Sequence, residues 1–229
     1  VTKPLRVAVV GVGGFGRHHA RIYKALEPEG VRLVGLVDVD PERPRELAER
    51  LGVPVVATVE ALPEPVDAVT VAVPAVAHRS VAEPLLLRGV PCLVEKPVAP
   101  TVADAEALVA ASRRGGALLQ VGHVERFNPV MAAVERLGVK PVFVEAHRLT
   151  PFSFRSADVG VVQDLMIHDL DIVLHLTGAE PSQVEAVGVP VIGEREDIAN
   201  ARLTFPDGAV ANVTASRVSF SKMRKIRIF

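Results

Sequence analysis

The sequence is poor in cysteine, in unbalanced charge and in long apolar runs. A single cysteine, Cys92, excludes a disulfide framework within the chain and argues against a cysteine-based zinc site. It lies in an apolar run and reads as core. A net charge of −1 lacks the basic excess of a general nucleic-acid binder. No stretch of about 18 apolar residues occurs, so no transmembrane helix is expected. Residues 1–6 run straight into an apolar segment without a signal-peptide core, which makes the cytoplasm the expected location. Asn and Gln number three each, Arg outnumbers Lys 20 to 6, and there are 18 prolines. That bias fits a thermophile and a GC-rich genome equally well.

What is present suits a folded protein. The 229 residues are 49% apolar and 23% charged, enough for one or two domains with a real core. Over residues 5–95 short apolar runs alternate with helical spacing. Strands are expected at 5–10, 31–37, 66–73, 90–94 and 117–121. Helices are expected at 15–26, at 41–51 with Asp40 as N-cap, at 75–88, and at 102–114 with Thr101 as N-cap and Asp104 completing a short capping box. Nearly unbroken Val/Leu/Ala strands between amphipathic helices point to a doubly wound parallel sheet covered on both faces.

The character changes after Gly122. Helices are expected at 129–137 and 163–176, the second ending at Gly178. Strands are expected at 142–149, 182–189, 198–205, 209–216 and 222–229, with a loop at 152–162 carrying Phe152 and Phe154. Pro206-Asp207-Gly208 is a hairpin turn signal. The expectation is an α/β protein. Residues 1–122 form a Rossmann-type domain, and residues 123–229 an α+β domain with a large, mostly antiparallel open sheet. The strand at 209–216 has Ala209, Ala211 and Ala215 on one face and Thr214 and Ser216 on the other. Such an open face suits burial against a second copy, so a homodimer or homotetramer is expected. The chain stops inside a strand-like run, and residues beyond 229 are expected.

Gly11-Val12-Gly13-Gly14-Phe15-Gly16 follows an apolar strand and opens a helix, the context that gives G-x-G-x-x-G its meaning. Gly11 permits a tight turn, Gly13 lets a pyrophosphate approach the backbone, and Gly16 allows helix and strand to pack closely. With Gly14 and Phe15, the run offers helix N-terminal N–H groups to phosphate. Asp38, 22 residues past Gly16 at the end of the second strand, is placed to accept ribose hydroxyl bonds. A 2′-phosphate against Asp38 would meet a repulsion of roughly 4 kcal/mol at close contact, so NAD is favoured over NADP, with a flavin as the other dinucleotide option. The bland alternative is a glycine turn that only packs a helix.

Further motifs narrow the reading. These are the glycine turn with His19 three residues beyond Gly16, Asp38, Val73-Pro74-Ala75-Val76-Ala77-His78, Glu95-Lys96-Pro97 and Asp164-Leu165-Met166-Ile167-His168-Asp169-Leu170-Asp171. In this order the chain resembles the glucose–fructose oxidoreductase / inositol dehydrogenase (Gfo/Idh/MocA) family along its whole length. The resemblance implies NAD-dependent oxidation of a sugar or polyol hydroxyl, with Lys96, Asp164 and His168 as the active site. It implies cofactor contacts from Val73, Pro74, His78, Glu95 and Lys96. Gln120-Val121-Gly122-His123-Val124-Glu125-Arg126-Phe127-Asn128-Pro129 and the Asp164–Asp171 stretch are similar to members that oxidise the 3-hydroxyl of UDP-N-acetylglucosamine or its uronate. A free polyol dehydrogenase and an NAD-sensing regulator are the rivals. Two departures stand out: members commonly exceed 300 residues, and Asp158-Val159-Gly160-Val161-Val162 is less glycine-rich than in many of them, which bears on the substrate loop.

The chemistry fits these residues. Oxidising a secondary alcohol needs a base for the hydroxyl proton and a group that stabilises the developing carbonyl. Lys96 follows the carboxyl end of a strand, where open α/β sheets bind ligands, and Pro97 biases it away from helical geometry. Asp164 and His168 are spaced i, i+4 on one helix face, and histidine titrates near neutrality. Lys96 and His168 are expected to share the acid–base work, and Asp164 to orient a substrate hydroxyl or accept a bond from Lys96. Each has a plainer reading: a lone lysine is usually surface, and Asp164, His168, Asp171 and His175 form a stripe that also suits a metal, though none is expected. Asp171 could equally orient His168. His78 is either near the cofactor or structural; His123 and His147 are expected to be structural or peripheral. Arg126 and Asn128 are candidates for a pyrophosphate or sugar hydroxyl, against an ordinary helix start with Asn128 as N-cap before Pro129. Lys222, Arg224, Lys225 and Arg227 read as a solvated strand.

Overall fold

A computed structural model describes residues 3–153 and 159–229. By their internal contacts, residues 1–122 and 123–229 are two compact units.

The first unit is built on a six-stranded sheet in the order β3-β2-β1-β4-β5-β6, parallel throughout. Its strands are β1 (Leu5–Val10), β2 (Val31–Val37), β3 (Val55–Val56), β4 (Ala68–Val71), β5 (Cys92–Val94) and β6 (Leu119–Val121). Its helices are α1 (Gly16–Ala25), α2 (Arg45–Leu51), α3 (His78–Leu87) and α4 (Val102–Gly115). The β-branched strands bury both faces, as parallel strands must. Val7 and Val9 pack with Ala20 of α1 and Leu47 and Ala48 of α2. Val10, Val69 and Val71 pack with Leu85 and Leu86 of α3 and Leu108 of α4. Cys92 is buried in this second cluster, and burial pushes its thiol up to about 12.

Two details differ from expectation. The two-residue β3 is too short to show a period in sequence; Leu36 N–H reaches the Pro54 carbonyl beside it. The helix expected from residue 41 starts at Arg45, and Asp40 does not cap it. Pro44 lacks an N–H and disfavours helical geometry in Arg43, so residues 41–44 form turns instead. At α4, Thr101 Oγ1 accepts the Asp104 N–H at 3.1 Å, the expected cap.

The second unit holds α5 (Pro129–Arg136), β7 (Phe143–Leu149), a π-helical turn (Val162–Met166), α6 (Ile167–Thr177), β8 (Gln183–Val189), β9 (Ile198–Thr204), β10 (Val210–Ser216) and β11 (Met223–Ile228). The sheet order is β11-β7-β10-β9-β8; only the β7–β10 pair is parallel. The Pro206-Asp207-Gly208 turn joins β9 to β10, with Gly208 at φ 86° and Asp207 Oδ1 accepting the Ala209 N–H.

Of the two small-residue faces of β10, the alanine one is covered. Ala209, Ala211, Val213 and Ala215 belong to a core that includes Val144, Ala146, Ala199, Ala201 and Leu203 from neighbouring strands and Met166 and Val173 from the helical segment. Small strand residues let α6 approach the sheet. Because side chains alternate along a strand, the uncovered face is the one bearing Asn212 and Thr214, with Ser216 on the same side but buried. Lys225 and Arg227 lie on that uncovered side of β11 and are exposed, as a solvated strand would be. Phe152 is described, while Phe154 and Asp158 lie outside the described residues. No described helix is long and apolar enough to cross a membrane.

Candidate functional site

The glycine turn sits between the end of β1 and the start of α1. Gly11 has φ 84°, and a Cβ there would lie 2.7 Å from the Val73 nitrogen. Only glycine satisfies both conditions. A Cβ on Gly16 would land on the Gly11 carbonyl, so this glycine holds the helix against the turn. A Cβ on Gly13 would meet nothing, which leaves its backbone accessible. The start of α1, at Phe15, has no side-chain cap. Unpaired N–H groups there and the helix dipole suit a pyrophosphate. Asp38 is 5% exposed; its Oδ2 accepts the Val12 N–H at 2.9 Å and its Oδ1 the Asp40 N–H at 3.1 Å. It therefore fixes the turn as well as carrying charge to the ribose end. Open Gly13, the uncapped helix and Asp38 together fit a dinucleotide.

The next residues line the ends of β4 and β5. His78 is 1% exposed, with Nε2 2.9 Å from the Val73 carbonyl and Nδ1 3.0 Å from that of Pro97. Buried and held between carbonyls, it ties two loops together. Pro74 precedes a short 3₁₀ turn, Ala75–Ala77. Glu95 is buried, and its Oε1 lies 2.7 Å from His19 Nε2 on α1. Lys96 follows it, half-buried and joined to Pro97 by a cis peptide bond.

In the second unit Asp164 and His168 are half-buried, but not on one regular α-helix. Asp164 is in the π-helical turn and His168 is the second residue of α6. A π turn bonds i to i+5 and so rotates less per residue than the about 100° of an α-helix. Residues four apart then stay on one side. The rest of the stripe is engaged elsewhere. Asp171 accepts two bonds from Arg126, at 2.7 and 2.6 Å, and lies 3.8 Å from His123. His175 Nε2 pairs with Glu135 at 2.6 Å. Asp171 thus serves Arg126 rather than His168. Asn128 Oδ1 caps α5 by accepting the Val130 N–H at 3.0 Å. His147 lies beside Glu145 on the uncovered sheet face.

Comparison with known proteins matches two family descriptions. Residues 5–123 match the oxidoreductase family with the NAD-binding Rossmann fold, and residues 140–229 the GFO/IDH/MocA C-terminal domain. The chain belongs to the Gfo/Idh/MocA oxidoreductase family. It is 42% identical to UDP-N-acetylglucosamine 3-dehydrogenase of Acidithiobacillus ferrooxidans over 98% of this chain and 71% of that protein. A solved structure of that enzyme superposes with a TM-score of 0.91 at 41% identity, covering 100% of this chain and 75% of the other. GenD2 from gentamicin A biosynthesis, solved in complex with NAD, gives 0.87 at 27% identity over 98% of this chain and 69% of that one. This Gfo/Idh/MocA chain is an oxidoreductase whose cofactor is NAD.

Sequence reasoning passed over several charged residues of this Gfo/Idh/MocA protein. Arg148 of β7 donates to Asp169 of α6 at 3.0 and 2.7 Å, with side chains 6% and 2% exposed. Asp197, fully buried, pairs with Arg217 at 2.7 Å. Bonds from the Ile192, Val191 and Gly193 N–H groups and from Arg217, Ile192 foremost, hold the Asp197 carboxyl well below the usual carboxylate range against the opposing effect of burial. A signal for the first pair exists: Asp169 falls in the apolar stripe with Met166 and Val173, and Arg148 on the buried alternation of β7 with Val144 and Ala146. A charge at a core position demands a partner.

Proposed function

We propose that this protein oxidises a secondary hydroxyl on a sugar ring, at C3 of UDP-N-acetylglucosamine. The observation that carries the reading is the 42% identity to the A. ferrooxidans enzyme, which extends over 98% of the chain. A soluble cofactor and a nucleotide sugar are consistent with a reaction in the cytoplasm.

When bound, NAD supplies the hydride acceptor. The chain's residues manage the hydroxyl. Its proton leaves to a base as the carbonyl forms, and Lys96 and His168 are assigned this acid–base work. Whichever of the two is protonated also stabilises charge on the developing carbonyl oxygen. Asp164 orients a sugar hydroxyl. Arg126 and Asn128 are assigned to the substrate side, oriented by the bonds that hold them to Asp171 and to the start of α5.

Absorbance at 340 nm tests this when the full chain is incubated with NAD and a panel of nucleotide sugars and free polyols. Turnover is expected with UDP-N-acetylglucosamine. Turnover with inositol alone would transfer the assignment to a free polyol, and NAD binding without any turnover would make the protein a regulator. Lys96→Met and His168→Ala should each cut kcat by roughly 10²–10⁴ with NAD affinity retained. Near-normal rates in both would remove these residues from the mechanism.

A second copy of the chain is the occupant assigned to the uncovered face of the five-stranded sheet. One row across it reads Arg227, Glu145, Asn212, Arg202, Glu185, and another reads Met223, Leu149, Ser216, Ile198, Val189. A two-fold axis along β10 reverses each row onto itself. Arg227 then faces Glu185 of the copy, Glu145 faces Arg202, and apolar ends face apolar ends. Such self-complementarity is what an isologous interface requires. Light scattering at micromolar concentration should give a dimer or tetramer. Arg202→Glu should weaken association and Glu145→Arg should restore it in the double variant; a wild-type monomer would dispose of the interface.

A further inference from the structure

Of the charged groups with no part in the reaction above, the densest cluster lies where the helix of Asp164 and His168 begins. Asp197 Oδ2 accepts the N–H groups of Val191, Ile192 and Gly193 at 2.8, 2.7 and 3.2 Å. Its Oδ1 accepts Arg217 Nε, and its carbonyl accepts the Arg217 N–H at 2.9 Å. Arg217, 5% exposed, reaches beyond this pair: Nη1 donates to the Val159 carbonyl at 2.7 Å. Neighbouring Glu196 grips the same segment twice. Its carbonyl accepts the Val161 N–H at 2.9 Å and its Oε1 the Val162 N–H at 3.3 Å. Gly160 lies beneath that carboxylate, where any Cβ would collide with it. The Gly160 carbonyl then accepts the Asp164 N–H at 3.0 Å, so the helical segment starts on the gripped residue.

A buried ion pair is poor value as a stabiliser, because well-packed apolar residues of similar volume often do as well. What this one provides is direction. Arg217 has a fixed fork of donors and joins two loops that no strand pairing connects. The Glu196 carboxylate stands at a helix start, where negative charge and a bond to a first-turn N–H are favoured. We propose that Glu196, Asp197 and Arg217 are positioning residues, which together with Gly160 set the direction in which Asp164 and His168 leave the Val159–Val162 segment. This rests on the assignment of Asp164 and His168 to the reaction. Small displacements of reacting groups cost heavily: a shift of about 1 Å is worth roughly 10²-fold in rate.

The test is a double-variant cycle on the full chain. Gly160→Ala pushes the Glu196 carboxylate off the Val162 N–H, and Glu196→Ala removes it. Each should lower kcat by roughly 10-fold or more with NAD affinity unchanged, and the double variant should be no worse than the poorer single one. Glu196→Gln keeps an acceptor and should recover most of the rate. Arg217→Lys keeps the charge but not the fork. It should lower kcat and speed amide hydrogen exchange across residues 159–168. Independent, multiplying losses, or unchanged kcat in all these variants, would overturn the proposal while leaving the roles of Asp164 and His168 intact. Should Lys96→Met and His168→Ala both keep near-normal rates, the assignment of the site fails instead, and exchange decides the clamp: no acceleration at 159–168 in either Gly160→Ala or Arg217→Lys would end it.

Discussion

The two units hold their polar groups by different means. The first relies mainly on backbone: a glycine turn, an uncapped helix start and strand ends, with Asp38 and His78 bonded to main-chain atoms, beside the side-chain pairs His19–Glu95 and Arg6–Asp67. The second uses charged side chains paired over long sequence separations: Arg126 with Asp171, Arg148 with Asp169, Arg217 with Asp197. A backbone device tolerates most side-chain changes except at its glycines. A side-chain device such as Arg148–Asp169 or Arg217–Asp197 fails when either partner is lost, since the other charge remains buried.

The largest expected difference follows from that asymmetry. Arg148→Ala should destabilise the protein by about 3–5 kcal/mol in urea unfolding, because it strands the carboxylate of Asp169. Replacing both residues, as in Arg148→Met with Asp169→Leu, should restore more than half of the loss. A double variant as unstable as the single one would mean that the pair is held for shape rather than charge. In the first unit the sensitive atoms belong to glycines. Gly11→Ala combines a positive φ with a backbone collision and should cost about 1–3 kcal/mol. Gly13→Ala meets no protein atom, so melting should be unchanged while NAD affinity falls by roughly 10-fold, close to 1.4 kcal/mol. Equal melting losses at both positions would erase the distinction between folding glycine and binding glycine.

The smallest effect is read through pH. Hydrogen bonds and charge from Arg6 hold Asp67 in the first unit, and backbone N–H groups and Arg217 hold Asp197 in the second, both well below the ordinary carboxylate range. A depressed native pKa contributes stability that is complete above the unfolded value of about 3.9 and fades as pH drops toward the native one. Asp197→Asn should therefore destabilise at pH 7 and progressively less at pH 3, judged by urea midpoints. Asp67→Asn should show the same trend with a smaller amplitude, because its pair is less buried. A gap between wild type and Asp197→Asn that widens in acid would reverse the sign.

Much of the first unit is legible because its signals are local. The period of 5–10 and 31–37, the glycine run and Asp38 each state their structure within a few residues, and the Thr101 cap does so at α4. The misses there are short or blocked elements: β3 has two residues, and Pro44 delays α2. In the second unit the elements were readable but their relations were not. Nothing local says which face of β10 α6 covers. That Arg126 is held by Asp171 has no local signal, because the two lie 45 residues apart. The helix of Asp164 and His168 kept its acid-and-imidazole spacing in sequence, but no local pattern marks the π turn at its start.

By itself the sequence determined most element types and the dinucleotide turn, because hydrophobic period, glycine and proline act through their neighbours in the chain. Tertiary structure alone decided which charges neutralise one another, which sheet face is covered and how the helix of Asp164 and His168 is moored. Those are properties of groups brought together by folding, and a low-dielectric interior makes each such pairing compulsory once it forms.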